Sequence, residues 1–500
     1  MEKTYEGYKE HLQKIAHLSS AIMLLSWDQE VYMPKKGAEI RAKQFSTLST
    51  IAHELATDQT FENLVDHLLA KSSFGFKEMR NLQETKKEIV EGKKLSADFI
   101  QRSAIARSEA FQSWQQAREE ENFAVYVPSL KKMVALETER AGLLGYEKHP
   151  YDALLNLYEK GLTVEKLEKV FVQVKNQIVP LVKQIRERPQ VDDSFLTQQY
   201  NKEKQFDFSV ELLKYMNYDF DAGRQDLSTH PFSINFNSND VRVTTRVHEN
   251  DLSEVIWSTI HEGGHGLYSQ GLQANHYGLP SGEWVSLGIH ESQSRIWENN
   301  IGRAKAWWTF IYPELQEVFP QQLEGVSLDD FYKGVNKVES SLIRTSADEL
   351  TYHIHVMIRY EIEKELFEGA IKVEQLEEVW NEKYMQYLGI MPSKPSEGVL
   401  QDIHWSHGSF GYFPTYSIGS FYAAQFYAQA EKEISDLSSQ LEKGNIDSFL
   451  SLMRRNIHQH GKLYTPEQLS EKFTGEGLNI KYFVAYAKEK YGAIYDFIPE

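Results

Sequence analysis

Apolar residues recur three or four apart through most of the first 190 positions, as in YEGYKEHLQKIAHL from Tyr5, AEIRAKQFSTLSTIAHEL from Ala38 and the charged stretch 76–122. That period predicts helix. Capping signals agree: Thr465-Pro466-Glu467-Gln468 combines a capping hydroxyl, proline at the first helical position and a glutamine able to reach back, and Ser327-Leu328-Asp329-Asp330 opens another helix in the same way. The period changes at 229–248, THPFSINFNSNDVRVTTRVH, where apolar and polar residues alternate on either side of a polar Asn-Ser-Asn-Asp turn. This predicts a hairpin, hence a small antiparallel sheet, ahead of a helix from 251. Residues 391–420, rich in Gly, Pro and Ser, read as loop.

No Pro/Gly/Ser linker, internal repeat or low-complexity tract interrupts the 500 residues. The expectation is a mainly α protein forming one catalytic unit over 1–500, with 1–190 mostly helical and 191–500 carrying the chemistry. Charge narrows the partners. Lys plus Arg total 54 against 72 for Asp plus Glu, a net charge of −18, which repels phosphate backbones and anionic lipid alike. Neither nucleic acid nor membrane is expected as a partner. The absence of cysteine removes disulfides, thiolate nucleophiles and Cys-ligated metals together, and fits a reducing compartment. The first twenty residues carry charges every few positions, and no window approaches a membrane span. A cytoplasmic protein is expected.

The candidate chemistry lies in His261-Glu262-Gly263-Gly264-His265. Two imidazoles one helical turn apart point to the same side and can grip one ion. Glu262, one residue on, lies about 100° round the helix. There it suits a carboxylate that takes the proton of a water at the metal and later passes it to a leaving amine. Asp251-Leu252-Ser253-Glu254 resembles a capping box, and Leu252, Val255, Ile256 and Ile260 give the segment an apolar face, so the motif sits on a predicted helix. Two glycines inside that helix cost roughly 1 kcal/mol each relative to alanine, which points to close approach of substrate or backbone.

A catalytic metal needs a third ligand and an open position. The downstream candidates are Glu283, Glu291, Glu298, His276 and His290. On a helix over about 283–301, Trp284, Leu287, Glu291 and Ser294 share a face, which turns Glu291 toward the apolar side, where a carboxylate needs a strong partner. The competing role is a solvated i,i+4 pair with Arg295.

Six motifs then occur in register: His230-Pro231-Phe232, Asp240-Val241-Arg242-Val243-Thr244, the HEGGH, His290-Glu291-Ser292-Gln293, Ile343-Arg344-Thr345-Ser346-Ala347-Asp348, and Gly398-Val399-Leu400-Gln401-Asp402-Ile403-His404-Trp405. With Trp27-Asp28-Gln29-Glu30 and Met33-Pro34, the chain resembles the thermostable-type metallocarboxypeptidases of peptidase family M32 over nearly its full length. The resemblance implies a two-lobed helical fold with a deep cleft, similar to the angiotensin-converting and neurolysin-like enzymes. It also implies a homodimer, one zinc or cobalt ion, and removal of single residues from peptide carboxyl ends. Glu291 becomes the expected third ligand.

A terminal carboxylate is recognised bidentately by a guanidinium. Arg344 and Arg242 are the motif arginines available, Arg344 ranking first, with Gln401 and Tyr412 as further candidate substrate contacts. Asp348 would pair with Arg344, and a cross-strand partner with Arg242, if their roles were structural. His404 and Tyr416, similar to the His-plus-Tyr loop of related oligopeptidases, are the candidate donors to the developing oxyanion. Strand 241–247 has edge groups that an extended peptide could add to. The competing function is an endo-acting zinc oligopeptidase, which has no need of a free carboxylate.

Overall fold

The structure, a computed structural model, describes residues 4–71 and 73–499, which are overwhelmingly helical. They form two compact units that interleave along the chain: 1–93, 192–335 and 423–477 make the first, and 94–191, 336–422 and 478–500 the second.

In the first unit, helix α1 (Tyr5–Val31) is capped by the Thr4 hydroxyl and packs against helix α2 (Ala38–Ala56). The alternating segment forms the expected hairpin, β2 (Ser233–Asn237) with β3 (Asp240–Thr245), and a further strand, β1 (Gly223–Leu227), pairs with β3 in parallel. The sheet order is β1-β3-β2. This corrects the purely antiparallel expectation and also the docking proposal, because β3 is the central strand and has no free edge. The edge groups belong to β1 and β2.

The sheet carries helix α3 (Leu252–Gln270), whose buried Leu252, Val255, Ile256 and Ile260 form the expected apolar face. Hydroxyls fix the two together. Thr245 of β3 bonds Ser258 at 2.7 Å and Thr259 at 3.0 Å, and Gln225 of β1 donates to Thr259 at 3.3 Å. Buried polar groups satisfied in this way hold one register where an apolar contact would tolerate slippage. Helix α4 (Leu287–Arg295) is capped by Ser286, so Trp284 precedes it, and it continues as a π-helix over Ile296–Ile301.

In the second unit, helix α5 (Thr351–Glu368) is buried on nearly every face. Helix α6 (Pro414–Glu433) begins inside the stretch expected to be loop, which puts Tyr416 in its first turn. The capping boxes at Ser327 and Thr465 form as read, whereas Asp251 caps α3 by accepting from Ser253 N–H at 2.8 Å. No helix among the described residues is long and apolar enough to cross a membrane.

Candidate metal centre

Helix α3 presents His261 and His265 with ring centroids 4.9 Å apart, and α4 brings Glu291 to them. Glu291 Oε2 lies 3.6 Å from Nε2 of His261 and 3.5 Å from Nε2 of His265, and one donor atom from each of the three lies within 4.8 Å of the others. A tetrahedral ion with bonds of about 2.0–2.1 Å sets its ligands roughly 3.3 Å apart. Two imidazole nitrogens and one carboxylate oxygen at this spacing fit a divalent cation with a position left open.

The approach of the two helices depends on glycine. A Cβ on Gly264 would stand 2.6 Å from the Gln293 carbonyl oxygen and 2.7 Å from Ser294 Cα, both backbone atoms of α4. Gly263 is closed instead by the Leu213 and Met216 side chains. Gly263 and Gly264 therefore serve core and backbone contact, not substrate access.

Around the three ligands, charge is arranged to keep the carboxylates ionised. Burial works against Glu291, but Arg295, His261 and His265 hold it well below the usual carboxylate range. Arg295 Nε donates to its Oε1 at 2.7 Å, so the i,i+4 pair forms as well as the ligand set, in a buried site and not on a solvated face. Glu298 is no ligand. Its Oε2 lies 2.8 Å from His261 Nδ1 and accepts from Arg295 Nη1 at 3.2 Å. Despite burial, Arg295, His261 and Arg303 pull Glu298 down to about 2. A carboxylate on Nδ1 fixes the tautomer that leaves Nε2 with its lone pair toward the metal. Behind His265, the His290 ring stacks at 4.2 Å and is kept neutral by burial and by His265.

Glu262 is 7% exposed. Burial raises its carboxyl above the ordinary range, opposed by His261 and His265 and, more weakly, by the nearby Ser233 side chain of β2. A carboxylate with raised proton affinity, one helical position from the ligands, is a general base in form. Arg242 lies on β3, bonded to Asp240 at 2.8 and 2.9 Å and stacked 4.5 Å from the Trp27 ring. Its partner is its own strand neighbour two residues back.

In the second unit the structure gathers Arg344, Gln401, His404, Tyr412 and Tyr416. Arg344 donates through Nε and Nη2 to Asp402 Oδ1 at 3.1 and 2.9 Å, and through Nη1 to the Tyr352 hydroxyl at 3.0 Å. Arg359 takes the other oxygen of Asp402 at 2.6 Å. Gln401 is a half-buried brace: its Oε1 accepts from Arg344 N–H at 2.9 Å and Arg359 Nη2 at 2.8 Å. Asp348 leaves Arg344 alone and caps α5 at Leu350 and Thr351. His404 Nε2 lies 3.4 Å from the Tyr416 hydroxyl, and the Tyr412 ring packs 5.2 Å from that of Tyr416. Burial, with Arg344 and Arg359 opposing Asp402, lowers His404 to about 4, so its ring is neutral at pH 7.

The segment carrying these residues hangs on Glu363, fully buried on α5, which accepts from Trp405 Nε1 at 2.7 Å, Gly411 N–H at 2.8 Å and the Tyr151 hydroxyl at 2.5 Å. Sequence reasoning missed Glu363, Arg359 and Asp402. Only Asp402 carried a signal, inside the GxxQDxHW motif.

An HExxH helix with a glutamate from the next helix, a buried base and a guarded histidine defines a metallopeptidase-type centre. Comparison with known proteins specifies it further. Residues 7–491 match the carboxypeptidase Taq (M32) metallopeptidase family, and the chain belongs to it. It is 40% identical to carboxypeptidase 1 of Bacillus subtilis over 98% of this chain and 99% of that protein, and 40% identical to thermostable carboxypeptidase 1 of Thermus thermophilus over 99% of each. The crystal structure of an M32 carboxypeptidase from Deinococcus radiodurans superposes with a TM-score of 0.97 at 35% identity, covering 98% of this chain and 99% of that one. The chain is accordingly a metal-dependent carboxypeptidase.

Proposed function

We propose that this enzyme releases single amino acids, with broad tolerance of side chain, from the carboxyl ends of short peptides, using Glu262 as base and one zinc ion held by His261, His265 and Glu291, with cobalt able to replace it. The observation that carries this is the buried Glu262 beside a three-ligand set whose geometry suits one small divalent cation. The ion, when bound, would polarise the scissile carbonyl and acidify a water. Glu262 takes the proton of that water and passes it to the leaving amine. Neutral His404 and the Tyr416 hydroxyl suit donation to an oxygen gaining negative charge. Arg344 keeps donors on Nη1 and Nη2 beyond those bound to Asp402 and Tyr352, and a planar fork of this kind suits a terminal carboxylate.

The two-nitrogen, one-oxygen donor set supports zinc, and a chain without cysteine supports a reducing, cytoplasmic setting. A homodimer is proposed on the family resemblance. The test compares an N-blocked tripeptide bearing a free carboxyl end with its C-terminal amide, each with and without chelator. Cleavage of the acid alone, abolished by chelator, is expected; equal cleavage of the amide would make the enzyme an oligopeptidase and remove the role of Arg344.

A further inference from the structure

Within the first unit, beside the metal centre, lies a cavity of about 450 Å³. Its walls are largely apolar, with Ile15 and Ala16 from α1, Phe61, Ile89 and Phe236, and Trp284 closes one side. The Trp284 ring is 5.3 Å from that of His290, which in turn stacks on His265. Cavity and metal centre therefore share a wall.

Strand β2 leads from one to the other. Ser233, at its start, lies next to Glu262; Asn235, Phe236 and Asn237, at its end, line the cavity. At about 3.3 Å per residue, the three steps from Ser233 to Phe236 span roughly 10 Å. The register fixes which backbone groups are on offer. Thr244 N–H donates to the Phe232 carbonyl at 2.9 Å, so Phe232 and Ile234 face β3, and Ser233 and Asn235 present N–H and C=O to the outer edge. At Phe236, where the ladder is irregular, the carbonyl accepts from the Ser20 hydroxyl of α1 at 3.1 Å. The edge is thus open next to Glu262 and covered at the cavity.

Charge sets a direction. Glu88 and Glu283 both line the cavity and share one cation: Lys462 reaches Glu88 at 3.1 Å and also pairs with Glu283. Two carboxylates to one ammonium leave a net negative rim. A peptide parallel to β2 would carry its terminal carboxylate toward that rim. An antiparallel peptide brings its carboxyl end to Glu262 and its amino end to the acids. Asn235 adds a buried side-chain oxygen with no hydrogen-bond partner.

We propose that this cavity is the subsite for the amino-terminal residues of the substrate: a peptide pairs antiparallel with Ser233 and Asn235, leaves the edge where Ser20 covers it, and places an apolar side chain between α1 and Phe236 with its free α-ammonium at Glu88 and Glu283. The proposal rests on the carboxypeptidase reading, which requires the chain to extend away from Glu262 on its amino side. With one residue released and four lying from Ser233 to Phe236, a pentapeptide just fills the path.

The test uses metal-loaded enzyme and one pentapeptide of apolar residues with a free carboxyl end, either with a free amino end or N-acetylated. The free form is expected to show kcat/KM about fivefold higher, the scale of a partly exposed ion pair, and Glu88→Gln or Glu283→Gln should bring the ratio toward one. A ratio near one in the wild type, or a preference that survives in both variants, overturns the subsite. The carboxypeptidase reading is tested separately in the same assay, since it fails if neither peptide yields its carboxyl-terminal amino acid.

Discussion

His261 Nδ1 lies 2.8 Å from Glu298 Oε2, and that bond decides which nitrogen of His261 is left for a metal. Glu298→Gln can present its side-chain amide N–H to Nδ1, reversing the tautomer, while Glu298→Ala frees the ring to turn. Both should lower metal affinity about 10- to 100-fold. Competition with a fluorescent chelator measures this, and unchanged affinity would show that the ring is fixed by packing alone.

Asp402 is the shared acceptor of two buried guanidinium groups, with Arg344 6% and Arg359 0% exposed at the side chain. Burial opposes its charge, yet the two arginines hold it far below the usual range. Asp402→Asn leaves two buried cations without their counter-ion, a loss of about 3–5 kcal/mol in comparable cases. Denaturant unfolding should register it as a lower midpoint. A midpoint like the wild type's would mean that water reaches the pair.

Glu363 supplies a pH signature. Burial outweighs its three donors and raises it to about 7, whereas in the unfolded chain it titrates at the ordinary value of about 4.5. Between those pH values the native state holds a proton that the unfolded state has released, so the contribution of Glu363 is full below 4.5, declines as pH rises to 7 and is constant above. Glu363→Gln removes the titration. Its deficit in thermal stability relative to wild type should shrink from pH 5 to pH 8, and a parallel pair of Tm curves would refute the shift. Because Glu363 holds Trp405 and Gly411, kcat should also fall with metal content unchanged.

What the sequence revealed follows the range of the interactions involved. The β2–β3 hairpin was legible because alternation and a polar turn are local, while β1, reading Gly-Arg-Gln-Asp-Leu, has no apolar alternation and joins the sheet through a non-local parallel pairing. Helical phase puts His261 and His265 on one side of their helix and turns Glu291 inward, the family resemblance selects Glu291, and the three stand together in the structure. The i,i+4 rule offers Asp348 as the structural partner of Arg344, but the partner found, Asp402, is 58 positions away. Edge and centre of a sheet cannot be told apart from one strand, which is why strand addition was assigned to β3 and not β2.

The central claim is that Glu262 moves protons and His261, His265 and Glu291 hold the metal, and Glu262→Gln separates the two jobs in one preparation. Metal content by elemental analysis and release of the terminal amino acid from a short peptide would be measured together. The account predicts one ion per chain, as in the wild type, with kcat lower by about 10²–10⁴-fold. Retained activity at full metal occupancy would contradict it and exclude Glu262 as the base.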